Sequence, residues 1–151
     1  MSVDIRKACP ADLTAVKAIV DAAYIHYIAR IGCKPGPMLD DYSALISDQY
    51  VHVVDEFGEI FGIIVLIPEA DYLLLDNVAV APKAQGRGFG RLLLNFAEGA
   101  ARNMGYSRIR LYTNELMTEN IKLYSSLGYC ETDRREEKGL RRVFMTKQLV
   151  S

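Results

Sequence analysis

Tryptophan is absent from these 151 residues, histidine occurs twice, and neither sign of charge dominates: 18 Lys and Arg stand against 19 Asp and Glu. That balance removes the basic excess on which nucleic-acid binding rests. The three cysteines, Cys9, Cys33 and Cys130, are scattered, odd in number and without a CxxC pair. They argue for free thiols in a reducing cytoplasm rather than a disulfide frame. His26 and His52 lack paired Cys or His ligands, so no metal site is expected. No apolar run approaches the length needed to span a bilayer, and Met1–Arg6 lacks the charged-then-apolar pattern of a signal peptide. Half of the residues are apolar, enough to bury one sizeable core. The expectation is a single cytoplasmic domain over residues 1–151, without metal, membrane or nucleic-acid partner.

What is present patterns as short strands and helices. Residues 3–8 alternate in period two as a strand does. Pro10 suits a first helical turn, and Leu13, Val16, Val20, Ala23 and Tyr27 recur at helical spacing to about Ile28. Two glycines and two prolines between Gly32 and Pro37 break that helix, and a second short helix is predicted over residues 38–47. Strands over 50–55, 60–67 and 72–80, separated by short turns, form an antiparallel meander. A helix over 91–102 and a strand over 107–113 follow; the intervening helix makes that strand parallel to the one at 72–80. A helix over 117–127 stops at Gly128. Two last strands, 129–132 and 142–149, flank a charged loop at 134–139. This order predicts an α/β (α+β) fold, with a mixed, mostly antiparallel central sheet and about four helices.

The segment Gln85-Gly-Arg-Gly-Phe-Gly90 sits between the third strand and the next helix. A strand, a glycine-rich turn and a helix N-terminus together make an anion cradle, because backbone N–H groups converge there and the helix dipole adds positive potential. Arg87 and Arg91 add charge at its mouth. A P-loop requires Lys-Ser/Thr after the glycines, where Phe89-Gly90-Arg91 stands. A dinucleotide fingerprint requires a third glycine, where Arg91 stands, and an acid about 20 residues on. The pattern left is Gln-x-x-Gly-x-Gly.

Val78-Ala-Val-Ala-Pro82 followed by Gln85–Arg91 resembles the acyl-CoA-binding motif of the GNAT superfamily of N-acetyltransferases. A second motif about 30 residues on carries the resemblance further: Leu111-Tyr-Thr-Asn114, Asn120, Tyr124 and Leu127-Gly-Tyr129. The resemblance implies a sheet split into a V between the strands of the two motifs, with acetyl-CoA as co-substrate in the opening. It assigns the backbone of Val78, Ala79 and Val80 to the pantetheine arm, and the amides of Gly86, Arg87, Gly88, Phe89, Gly90 and Arg91 to the pyrophosphate, with Gln85 in the motif beside them. A strand edge with unpaired groups and a nest of amides suit those roles. The resemblance also implies a thioester oxygen meeting a backbone N–H at an irregularity near Ala79–Val80.

Tyr124 holds the family's general-acid position, and a phenol with an ordinary pKa of ~10 stays protonated at neutral pH. Asn120, one turn earlier on the same helix face, is expected to contact the cofactor. Asn114 is either part of the site or a helix cap. Alternation puts Asp76 and Asn77 on opposite sides of their strand, so only one is expected to face the cleft; Asp76 reads as solvated, and no side-chain base is assigned. The resemblance places the acceptor near the N-terminal helices, where Tyr24 and Tyr27 share a face continued by Arg30. Together with Asn77 these are the candidate acceptor residues, with Arg30 either meeting an acceptor carboxylate or serving as a surface charge near a helix C-terminus. The expected activity is direct acetyl transfer to a primary amine of a small molecule, amino acid or peptide. The alternative is a non-catalytic CoA-binding sensor or interaction domain. Dimers are common among such proteins, but nothing in the sequence fixes one.

Overall fold

The computed structural model describes residues 3–137 and 139–149. The chain runs β1 (Val3–Lys7), α1 (Leu13–Ile31), α2 (Tyr42–Ser47), β2 (Val51–Glu56), β3 (Glu59–Pro68), β4 (Leu73–Val80), α3 (Phe89–Asn103), β5 (Arg108–Asn114), α4 (Thr118–Ser126), β6 (Cys130–Glu137) and β7 (Leu140–Gln148). Seven strands form one sheet in the order β1-β2-β3-β4-β5-β7-β6. Every neighbouring pair is antiparallel except β4 with β5. Both α1 and α3 pack on β3 and β4. Residues Gly62 to Leu66 of β3 are buried without alternation, as a strand must be when helices cover both of its faces. No helix among the described residues is long and apolar enough to cross a membrane.

The parallel pairing of β4 and β5 sets the stage for function. It joins Leu73–Leu75 to Ile109–Leu111 and then stops. From Asp76 onward β4 has no partner strand on that side, so the sheet opens into a V. The parting coincides with a register shift: Val65 pairs Asn77 and Leu66 pairs Leu75, leaving Asp76 as the extra residue of a bulge. A bulge bends its strand and re-aims side chains. The irregularity therefore lies at Asp76. Ala79 and Val80, where the resemblance placed it, pair regularly with Ile63 and Gly62.

Two elements differ from the sequence reading. The segment 38–47 is not one helix: a single 3-10 turn at Gly36–Leu39 is followed by extended Asp40, then by α2. Asp41 caps α2 by accepting from Ala44 N–H at 3.1 Å. Aspartate favours caps and turns over helix interiors, and the break leaves Asp40 outside any helix. The predicted charged loop is instead mostly strand, because β6 continues to Glu137 along β7; Lys138 lies outside the described residues. Acid–base pairs such as Arg134–Glu131 (2.8 Å) and Arg135–Asp133 (2.5 Å) run along this edge strand.

At the other edge, Asp12 locks the entry to α1. Its carboxylate takes Arg6 at 2.8 Å and the Cys9 N–H at 2.8 Å, and these bonds hold its pKa down to about 2. A carboxylate with a depressed folded pKa adds stability above its unfolded value and loses it as pH falls through the folded one. Asp12→Asn is expected to cost on the order of 2 kcal/mol at neutral pH. In urea titrations that gap should close towards pH 2; a gap unchanged with pH would contradict the assignment.

Candidate functional site

The opening of the V is bounded by β4 on one side and by β5 and α4 on the other, with α1 across it. Two cavities meet there. The first is a channel of about 330 Å³ whose lining includes Val78, Ala79, Val80, Gln85, Gly90 and Tyr27. The second is a small chamber of about 50 Å³, walled by Pro35–Pro37, Asp40, Asp76, Asn77, Tyr112 and Arg142. Tyr24, Asn120 and Tyr124 line both. The two spaces thus share a wall where an acyl group could pass from one ligand to another.

The cradle at the channel's mouth is built by two glycines in left-handed conformation, Gly86 (φ 86°) and Gly88 (φ 84°), where a Cβ would be strained. Gly88 caps α3. The first bond into this helix comes from Leu92 N–H to Gly88 C=O at 3.0 Å. The N–H groups of Gly88, Phe89, Gly90 and Arg91 are therefore left without a backbone acceptor, as at any helix start. Those donors and the dipole fit an anion such as a pyrophosphate.

Tyr124 is 5% exposed, and burial raises its phenol above the ordinary tyrosine range. Its ring packs edge-on against Tyr129, centroids 5.8 Å apart. No hydrogen bond engages its hydroxyl among the described residues. Tyr24, by contrast, is tied down: its hydroxyl lies 2.6 Å from Asn77 Oδ1 and 3.0 Å from the Val78 carbonyl. Asn77 Nδ2 donates to Tyr42 at 2.9 Å, and Tyr42 donates to Pro37 C=O at 2.5 Å. This buried relay clamps α1, α2, the proline loop and β4 around the chamber.

Inside the chamber two carboxyl groups meet. Asp40 sits at the chamber wall with much of its surface still open to solvent. Partial desolvation there, then the charge of Asp76 and a hydrogen bond to it, push it up to about 7, with Arg142 opposing. Two carboxyls in close contact favour sharing a proton over ionising together. Tyr112 donates to Asp76 at 3.2 Å and carries Arg142 over its ring at 4.5 Å.

Comparison with known proteins decides the class. The family model described as "Acetyltransferase (GNAT) domain" matches residues 47–131, more than half of the chain. The chain belongs to the GNAT acetyltransferase family. Among curated relatives it is similar to a mycothiol acetyltransferase of Jonesia denitrificans, 31% identical over 93 residues, covering 58% of this chain and 30% of that protein. It is also similar to the Escherichia coli protein named "Uncharacterized N-acetyltransferase YjgM", 33% identical over 103 residues, 64% of this chain and 62% of the other. The chain thus spans less than two thirds of the length of each. In fold it resembles Ard1 from Thermoplasma volcanium (TM-score 0.79, 18% identity, all of both chains). It also resembles the PaiA N-acetyltransferase of Thermoplasma acidophilum in complex with coenzyme A (TM-score 0.78, 19% identity, 98% of this chain and 99% of the other).

Within this GNAT domain, the structure sorts the residues singled out from sequence. Tyr124, Asn120, Val78, Ala79, Val80, Gln85 and Gly90 line the channel together. Phe89 turns into the core at 5% exposure and stacks on Phe61. Arg87 is a correction: its guanidinium grips Glu56 at 2.9 and 3.0 Å and lies over Phe89 at 4.7 Å, while its N–H donates to Ala84 C=O at 3.4 Å. Arg30 is another. It pairs with Glu119 at 2.6 Å, binds Leu116 C=O at 3.1 Å, and lines neither cavity. This ion pair ties the end of α1 to the start of α4. Asn114 stops short of capping α4: it accepts from Leu116 N–H at 2.9 Å in the turn before that helix. Burial alternates along the whole of β4, yet beside the bulge Asp76 and Asn77 both line the one chamber. Asp40, Tyr112 and Arg142 escaped assignment from sequence. Asp40 follows a proline-pinned loop and Tyr112 sits inside the second motif, but Arg142 carries no local signal.

Proposed function

We propose that this GNAT domain is an acetyl-CoA-dependent N-acetyltransferase that transfers the acetyl group directly to a primary amine. One observation carries the reading: a channel from the amide cradle and a chamber holding a carboxyl pair meet at Tyr124, whose hydroxyl has no hydrogen-bond partner among the described residues. Bound in the channel, acetyl-CoA would supply the acetyl thioester. The unpaired edge of β4 beyond Leu75 and the amides of Gly86 and Gly88–Arg91 would hold its pantetheine and pyrophosphate. The Val78 carbonyl already accepts from Tyr24, so the strand edge offers mainly its remaining groups around Val80.

At the chamber end, an amine arrives as its ammonium and must lose a proton before it can attack. Asp40, held near 7 beside Asp76, matches the operating pH at which a general base works best. The amine is held against this pair and gives it a proton. The neutral amine attacks the thioester carbonyl and forms the C–N bond. As the C–S bond breaks, Tyr124, kept protonated by burial, donates to the leaving sulfur and is reprotonated by the second proton lost from the acetylated nitrogen. A non-catalytic CoA sensor would have no use for a carboxyl pair of this kind beside the phenol.

Thermal shift tests the donor side: stabilisation by acetyl-CoA and CoA, and none by ATP, is the expected result. The clean variant is Gly90→Val. Its backbone is unstrained, and a Cβ there meets only Val80 at 3.9 Å, whereas Gly88 sits at positive φ and any substitution would also strain the turn. Gly90→Val is expected to keep its Tm without ligand and to weaken CoA binding at least about tenfold, a loss of ~1.4 kcal/mol. Normal binding by the variant would place the cradle elsewhere.

A further inference from the structure

Beyond the chamber the same wall continues into a groove of about 230 Å³ lined by Tyr72, Arg110, Tyr112, Arg135, Arg142 and Phe144, with Leu74, Leu111 and Glu137 completing it. Tyr112 and Arg142 belong to both spaces, so the groove opens from the acceptor side. Three arginines converge here against one lining carboxylate. Arg142 is 3.4 Å from Glu137, and Arg135 is paired with Asp133 just outside the groove.

Three features make this more than a solvated basic face. Arg135 and Arg142 stand directly opposite each other in the β6–β7 register, and like charges at such a pair destabilise a sheet. The guanidiniums are held flat on aromatic rings: Arg110 over Phe144 at 5.1 Å and Tyr72 at 5.7 Å, Arg135 over Phe144 at 5.0 Å, Arg142 over Tyr112 at 4.5 Å. Stacking of this kind fixes orientation; Asp133 takes Arg135 Nε and Glu137 takes Arg142 Nη1, and the remaining N–H groups can meet a ligand. Finally, Arg110 Nε is buried without a hydrogen-bond partner among the described residues, an arrangement that a folded protein avoids unless something else supplies the acceptor.

We infer that this groove is the distal half of the acceptor site and takes an anionic group, carboxylate or phosphate, carried on the amine to be acetylated. The inference rests on the acetyltransferase reading for the amine end only. Arg110 lies two residues from Tyr112 on the same side of β5, a repeat of about 7 Å along the strand. The preferred acceptor is therefore a primary amine that carries its anionic group at a distance, amine at Asp40 and Asp76 and anion at Arg110.

Two arms test it. In the first, the Arg110 Nε–H resonance is followed by NMR as glutarate or inorganic phosphate is added to the protein without acetyl-CoA. A saturable shift with one of them is expected and names the anion; no saturable shift with either overturns the inference. In the second, an ω-amino carboxylate, an ω-aminoalkyl phosphate and the alkylamine of equal length are compared as acceptors. Arg110→Gln is expected to lower the ratio of kcat/KM for the anionic acceptors over the alkylamine about tenfold or more. The exposed Arg135→Gln should lower it in the same direction and guards against a folding defect in the first variant. An unchanged ratio in both overturns the inference. A saturable NMR shift with no acetylation of any amine would instead keep the anion groove and refute the acetyl-transfer reading.

Discussion

Tyr124→Phe is expected to lower kcat about a hundredfold, the lower range for loss of a positioned acid, while the Kd for acetyl-CoA stays within about twofold of wild type. The removed oxygen makes no hydrogen bond among the described residues. The ring keeps its edge-on packing against Tyr129, so the variant loses a proton donor and little else. Stopped-flow or steady-state thiol release gives kcat, and equilibrium titration gives Kd. A kcat equal to wild type would remove Tyr124 from the mechanism. A parallel fall in affinity would show instead that the phenol holds the donor.

The second large effect belongs to Asp40. Wild-type kcat/KM is expected to rise with pH through about 7 and then level, because Asp40 takes up the amine's proton only after losing its own. Asp40→Asn should flatten that limb and lower the plateau about a hundredfold. Stability should move the other way. The folded pKa of Asp40 lies above its unfolded value of 3.8, so the folded state holds the extra proton. Stability from this group is therefore present at low pH and is lost as pH rises through 7. Asp40→Asn removes that loss, and its Tm should exceed that of wild type at pH 8 but not at pH 4. A variant with unchanged pH–rate limb and plateau would assign the proton acceptor elsewhere. Since Asp40 and Asp76 interact, Asp76→Asn is expected to bring the Asp40 limb down towards the ordinary carboxylate range.

Much of this was legible in the residues themselves. The apolar periodicity of α1, the meander of β2 to β4 and the parallel β5 follow from spacing and turn chemistry, and the two motifs locate the channel. The parts that were not legible share a physical cause: they depend on tertiary register. The bulge at Asp76 exists only because β3 and β4 slip by one residue, and a period-two reading cannot contain it. Asp40 became available because Asp41 took the cap of α2, a choice between adjacent aspartates that local propensity does not rank. Arg87 and Arg30 looked like ligand-binding cations, but Glu56, 31 residues away, and Glu119, 89 residues away, claim them in the fold. The strand pairing of β6 with β7 overrode the loop-like composition of residues 134–137, and it is this pairing that sets Arg135 against Arg142.

The most direct test of the central claim is an acceptor screen read by free-thiol release from acetyl-CoA, run over primary amines with and without a distal anionic group. Amine-dependent thiol release with initial-rate patterns of a ternary complex, acetylated amine formed in equal amount, and preference for anionic acceptors are the expected results. Thiol release through a covalent acetyl-protein, or binding of acetyl-CoA with no amine acetylated across the panel, would contradict that claim.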